Sequence, residues 1–373
     1  MPNLRVLPTP VVPEVRTVLA APAPDGSVRC GVCAHRCLVR PGRHGICGVR
    51  ENRDGVLWCS AYGAVAVTAV DPIEKKPLFH VDPGSLAYSL ATTGCPFHCT
   101  FCQNWELAQA PRLGLCIPQR PMTPARLVAD ARASGARSIA YTYVEPTVFL
   151  EYALDAGRLA RKAGLRNLFV TDGYATPDAI GLLAPVLDAA NVDLKSFSDA
   201  FYRRRCGATL APVLEAIRAY REAGVWVEVT TLVIPGLNDS DAELRDLTGW
   251  LVAELGPFVP WHVSRFHPAF ELHDVPPTSA ATLRRAAEIG REAGLRFVYV
   301  GNAPEVGLQD TACPGCGLLL VERRGYRTSS ALGPGGTCPR CARVLEGRWP
   351  QVEHGAAEGE YHGMGPAGWE AGS

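Results

Sequence analysis

From Ser85 to Asn302, short apolar runs alternate with longer amphipathic ones. LAYSLAT, SIAYTYV, NLFVTDG, NVDLKS, VWVEVTTLVIP and WHVSRFHP are brief and rich in β-branched and aromatic residues, which predicts six strands, with RFVYVGN as a seventh. The intervening stretches repeat their apolar positions at helical period: TPARLVADARASG, TVFLEYALDAGRLARKAG, TPDAIGLLAPVLDAA, APVLEAIRAYREAG, AELRDLTGWLVAELG and TSAATLRRAAEIGREAG. Thr123 is placed to cap the first of these, with Pro124 in its first turn and Gly135 at its end. Repeated strand–helix units imply a parallel sheet with helices outside it. Six or seven units suit an open, partial (β/α)6-type TIM barrel of α/β class better than a closed eight-stranded one. Chemistry in such folds gathers at the C-terminal ends of the strands.

The flanks follow other patterns. Residues 1–84 hold a Pro- and Ala-rich arm, a glycine-rich segment with four cysteines, and the runs AYGAVAVTAV and PLFHV, which read as short strands around DPIEKKP. Residues 85–305 form the barrel unit and 306–350 a second cysteine knuckle. The tail 351–373 is polar, Gly-rich and aperiodic, which predicts disorder. No apolar run approaches the ~20 residues that cross a bilayer, so no membrane role is expected. Lys+Arg and Asp+Glu both number 37, and the zero formal charge argues against nucleic acid as a partner. The 14 cysteines cluster in metal-type spacings rather than a disulfide pattern, which points to the cytoplasm.

The first strand runs directly into GCPFHCTFCQNWE, where Cys95, Cys99 and Cys102 stand at C-x₃-C-x₂-C. Scattered at random, the cysteines would produce this spacing with a chance of about 0.02. Three thiolates hold three irons of a cubane 4Fe-4S cluster and leave the fourth iron open for a ligand. The competing reading, a zinc knuckle, favours paired C-x₂-C units. Such pairs occur in Cys313/Cys316 and Cys338/Cys341, where four thiolates without an open position suit structural Zn²⁺, although the spacing also permits a rubredoxin-type iron site. Cys30, Cys33, Cys37 and Cys47 offer four more ligands. Zinc and a second iron–sulfur cluster are both open for them, because the gap before Cys47 matches neither ferredoxin spacing. Cys59, Cys116 and Cys206 are left over, as buried apolar residues.

Charged residues also fall at strand ends. Glu145 follows the second strand, as a substrate contact or a helix N-terminal acid. Asp172 closes the third. Asp193 and Lys195 share a face of the fourth by alternation, as a buried ion pair or a cofactor contact. Glu228, His262, Arg265 and His267 line the fifth and sixth strands, and Asn302 stands where it could close the site.

The cysteine loop is the signature of the radical SAM enzymes. Together with CGVCAHRC…GICGVR, DPIEKKPLFH, YTYVEPT, VDLKSF, EVTTLVIPGLND and PWHVSRFHP, it makes residues 28–305 resemble one branch of them. These are the AmmeMemoRadiSam-system enzymes, relatives of the pyruvate formate-lyase activating enzymes. The resemblance implies S-adenosylmethionine (SAM) on a 4Fe-4S cluster held by Cys95, Cys99 and Cys102, with SAM or active-site contacts near Glu145, Asp172, Asp193 and Lys195. It implies an oxidoreductase that cleaves SAM to a 5′-deoxyadenosyl radical and takes hydrogen from a substrate. A reductant such as flavodoxin or ferredoxin is the expected partner, and a partner protein is one candidate substrate. Relatives often have Asn where this chain has Asp172, and the knuckle at Cys313–Cys341 is an extra relative to the short activases. The alternative is a non-catalytic iron–sulfur electron-transfer or metal-binding protein.

Overall fold

The computed structural model describes residues 14–350. The tail expected to be disordered, 351–373, and most of the N-terminal arm lie outside the described residues.

The main sheet is open, and its eight strands follow chain order from one edge to the other. They are β1 (Val67–Pro72), β2 (Leu86–Ala91), β3 (Ser138–Tyr141), β4 (Arg166–Thr171), β5 (Ala189–Asp193), β6 (Trp226–Val233), β7 (Trp261–Arg265) and β8 (Val298–Gly301). β2 to β8 are parallel, so the seventh parallel strand expected from RFVYVGN is present. β1, from AYGAVAVTAV, pairs antiparallel with β2 and extends the sheet beyond the repeated units.

The connecting helices are α1 (Pro124–Ala133), α2 (Leu150–Lys162), α3 (Pro177–Leu183), α4 (Leu210–Glu222), α5 (Asp241–Leu255) and α6 (Ala280–Glu292). The Thr-Pro starts behave as their sequence dictates. The Thr123 and Thr176 hydroxyls accept from the amides of Arg126 and Ala179, and each proline takes a first-turn position whose N–H has no helical partner. α3 stops at Leu183, shorter than its periodicity predicts: Pro185 cannot continue a helix, and Ala189 already belongs to β5. PLFHV is not a strand. The amides of Phe79 and His80 instead bind the carboxylate of Glu228, at 3.0 and 2.8 Å.

The two flanks grip opposite rims of the sheet. The N-terminal cysteine segment docks on the loop after β4, where the amides of Ala34 and Thr176 bind the carbonyls of Tyr174 and Val32. Buried Arg50 anchors it with a two-toothed ion pair to Glu151 of α2, at 2.8 and 3.0 Å. The C-terminal knuckle packs Leu320, Val321 and Trp349 against Phe79, Phe297 and Tyr299 near the strand starts. There Arg166 and Arg348 bond to the carbonyls of Trp349 and Gly224.

Candidate active site

At the C-terminal ends of the strands a cavity of about 320 Å³ opens, lined by Cys95, Cys99, Cys102, Glu145, Asp172, Asp193 and Lys195. The sequence pattern thus assigned to this rim seven residues that the fold does bring together. The cysteine loop follows β2 and is braced from below, since the amides of His98 and Thr100 bind the carbonyls of Cys206 and Arg205. Those acceptors end a π-helical turn, Tyr202–Cys206, a distortion often found at functional sites.

Lys195 is the electrostatic centre. Its Nζ lies 2.9 Å from Asp172 Oδ1 and 2.9 Å from Asp193 Oδ2. Burial works against its charge, yet the two carboxylates outweigh burial and hold its pKa well above the ordinary lysine value. Asp193 is the last residue of β5 and Lys195 lies beyond it, so the pair meets in the loop rather than through strand alternation.

The Cys95 thiol donates to Asp172 Oδ2 at 3.3 Å. Burial raises the thiols of Cys95 and Cys102. At Cys99 the neighbouring Cys206 raises the pKa first and burial second. Cys206 is buried, as the sequence reading expected, and its carbonyl braces the loop through the His98 amide, whereas Cys116, expected to be buried, is exposed.

Glu145 is almost wholly buried. Its carboxylate accepts from the hydroxyls of Thr147 and Thr171, both at 2.8 Å, and from the amide of Asp172 at 2.6 Å. Burial and then Asp172 push it up to about 7. It also receives the Thr147 amide as a helix N-terminal acid, so it positions the loop that carries Asp172.

Sequence reasoning missed a second buried group behind the cavity wall, where Lys76 and Tyr143 line the cavity. Asp71 Oδ2 accepts from Lys76 Nζ, Ser89 and Tyr143 at 2.8, 2.9 and 2.7 Å. Burial opposes its charge, but these partners together hold it well below the usual carboxylate range. Tyr143 reaches it from a left-handed backbone position, φ 65°, strained for an aromatic residue. The Asp and Lys of DPIEKKP were the available signal; what they face is set by the fold.

Other expected residues lie elsewhere. Glu228 and His262 pair at 2.6 Å near the opposite rim, where Glu228 also accepts from Trp226 and the Phe79 and His80 amides; this is a buried structural pair. Arg265 pairs with Glu305, the His267 carbonyl accepts from Gln103, and Asn302 donates to Ser264. Lys75, Thr230 and Ser264 link the main cavity to a neighbouring one of about 290 Å³ that reaches His262 and Asn302.

The cysteine groups differ in spacing. Cys313 and Cys341 approach to 3.5 Å, Cys316 and Cys338 to 3.6 Å, and the four sulfurs lie within 4.8 Å of one another. Among the described residues no other three metal-ligating side chains are so compact. The looser thiols of Cys95, Cys99 and Cys102 around the cavity leave room for a group larger than a single ion. No helix among the described residues is long and apolar enough to cross a membrane.

Comparison with known proteins adds a family context. A profile described as the radical SAM superfamily matches residues 89–248. The protein MJ0808 of Methanocaldococcus jannaschii is 45% identical over 299 residues, covering 80% of this chain and 88% of that protein. The isethionate sulfite-lyase activating enzyme of Nitratidesulfovibrio vulgaris is 31% identical over 137 residues, 35% of this chain and 44% of that enzyme. Among solved structures, a domain of pyruvate-formate lyase-activating enzyme from Bacteroides vulgatus aligns with a TM-score of 0.40 at 17% identity, covering 44% of this chain and 99% of that one.

Proposed function

Because the chain belongs to the radical SAM superfamily, we propose that it reductively cleaves SAM at a 4Fe-4S cluster held by Cys95, Cys99 and Cys102, and abstracts hydrogen from a substrate bound in the adjoining cavity. One observation carries this reading: the three thiols share a single cavity with Lys195 and its two carboxylates. Such a cluster, when bound and reduced, would supply the electron for reductive cleavage of SAM.

The chain's own residues bind, orient and shield. Cys95, Cys99 and Cys102 would hold the cluster and leave one of its irons open to SAM. On ligation Cys95 would give up the proton that it donates to Asp172, and the Lys195 ammonium beside Asp172 would offset the added negative charge. Asp172 and Asp193 turn acceptor oxygens toward the cofactor's cationic groups. Glu145 fixes Asp172 through its amide. The linked second cavity, which shares Lys75, Thr230 and Ser264 with the first, takes the substrate.

Within the superfamily we read the open sheet as a partial barrel over residues 85–305 and the chain as an AmmeMemoRadiSam-branch enzyme. The matching phrases favour this branch. The similarity to an activating enzyme favours a protein substrate, with flavodoxin or ferredoxin as reductant. The compact Cys313–Cys341 set fits a ribbon-like Zn²⁺ site, since zinc at about 2.3 Å from each thiolate sets sulfurs about 3.8 Å apart.

The test is anaerobic reconstitution with iron and sulfide, reduction, addition of SAM, and chromatography of 5′-deoxyadenosine. Product is expected from the parent and none from Cys95→Ala/Cys99→Ala/Cys102→Ala. A parent with an intact cubane that neither binds nor cleaves SAM would instead be an electron carrier.

A further inference from the structure

We propose that Cys30, Cys33, Cys37 and Cys47 hold a second 4Fe-4S cluster, with every iron ligated by the chain. The four thiols line one void of about 20 Å³, walled by Ile46, Pro96 and Val148 and faced by Arg50. Two C-terminal-segment sulfur pairs at 3.5 and 3.6 Å show what a single-ion site looks like in this protein. The N-terminal sulfurs differ: no three of them lie within 4.8 Å of one another, although they share the void. A zinc ion bonded to all four would need them about 3.8 Å apart. A cubane spreads its four outer thiolates to roughly 6 Å. Cys95, Cys99 and Cys102 likewise form no such compact group, so the N-terminal set keeps company with them and not with the zinc-type set.

The surroundings suit a buried, negatively charged cluster. Arg50 is buried and sets its guanidinium against the void while Glu151 and the carbonyls of Thr147 and Val148 hold it in place. The cysteine loops are closed by their own backbone, with the Cys30 amide on the Cys37 carbonyl at 2.9 Å and the Gly45 amide on the Arg50 carbonyl at 2.8 Å. The long gap before Cys47 is bridged in space by this folding, which is why linear spacing could not identify the site.

The site also adjoins the first one. Pro96, next to Cys95, lines its wall, and Gly94 packs so closely on Cys47 that an added Cβ would lie 2.6 Å from the Cys47 carbonyl oxygen. With no open iron, a cluster here passes single electrons and does not bind SAM. This second site does not require SAM cleavage at the first.

The experiment is metal and acid-labile sulfide analysis of the full chain after anaerobic reconstitution, with EPR of the reduced protein before and after SAM. The parent is expected to hold about eight irons. Cys95→Ala/Cys99→Ala/Cys102→Ala should keep about four, with a cubane signal that SAM leaves unchanged. Cys33→Ala/Cys47→Ala should keep about four, all SAM-sensitive. A parent with about four irons and a second equivalent of zinc would overturn the proposal, and because that count is made on the parent, the result stands even if a variant does not fold. Production of 5′-deoxyadenosine would be unaffected by that failure, so the two readings fall separately.

Discussion

Lys195 keeps two carboxylates compatible in one buried corner. Replacing it with methionine leaves Asp172 and Asp193 facing each other with no cation between them. Lys195→Met should lower the unfolding free energy of the iron-free protein by about 3 kcal/mol or more, measured by denaturant titration. It should also slow 5′-deoxyadenosine release by about a hundredfold in the reconstituted enzyme. Glu145 makes a pH-dependent contribution of opposite kind. Its folded pKa, about 7, lies above the ordinary glutamate value. Its favourable term is therefore complete below about 4.5 and is lost as pH rises through 7. Glu145→Gln cannot titrate, so its stability relative to the parent should improve across that window by up to roughly 3 kcal/mol. A flat difference between pH 4.5 and 7 would remove this account of the carboxyl.

Among the elements, the cysteine loop depends on one glycine. Gly94 has φ 92°, and the space a Cβ would need is filled by the Cys47 carbonyl and Val49. Gly94→Ala should loosen the loop against the N-terminal segment and reduce iron per chain on reconstitution, with the helices intact by circular dichroism. The helices themselves were legible in sequence because period, Thr-Pro starts and terminal glycines act within a few residues. PLFHV was not legible: its apolar residues resemble a strand, but its amides are satisfied by a carboxylate 149 residues away. The Asp71–Lys76–Tyr143 group escaped for the same reason, as did the approach of Asp172 to Lys195, whose pairing with Asp193 was legible. Glu228 on β6 and His262 on β7 carry functional-looking side chains, and only their pairing with each other and with the Phe79 and His80 amides shows that Glu228 is structural.

At the scale of the whole molecule, a directed chain of hydrogen bonds ties the C-terminal knuckle to the sheet. Arg323 donates to Thr311, Thr311 can donate to Tyr299 and Tyr299 to His80, whose other nitrogen lies 2.7 Å from the Glu346 carbonyl. This direction requires a neutral His80 that accepts at Nε2. Burial lowers its pKa to about 4, with the charge of Arg323 adding to the effect and Glu228 opposing it. The unfolded histidine takes its proton at a higher pH, so this stability is complete above about 6.5 and is lost as pH falls toward 4. At pH 5 the loss should reach roughly 2 kcal/mol, and limited proteolysis should then cut within residues 310–349 before it cuts the sheet. Cleavage at the same rate at pH 5 and 7 would count against the chain of bonds. The α/β class and the strand-end location of the site were legible from repetition. The attachment of the flanks to opposite rims was not, because it is written in single contacts between distant residues.

The bridge between Cys33 and Ala175 has a consequence in time. A ribosome adding about 5–20 residues per second must work for roughly ten seconds or more between those two positions. Through that interval the N-terminal segment lacks the loop after β4 on which it docks. The docking of the N-terminal segment on the loop after β4 therefore forms only after the middle of the sheet has been synthesised.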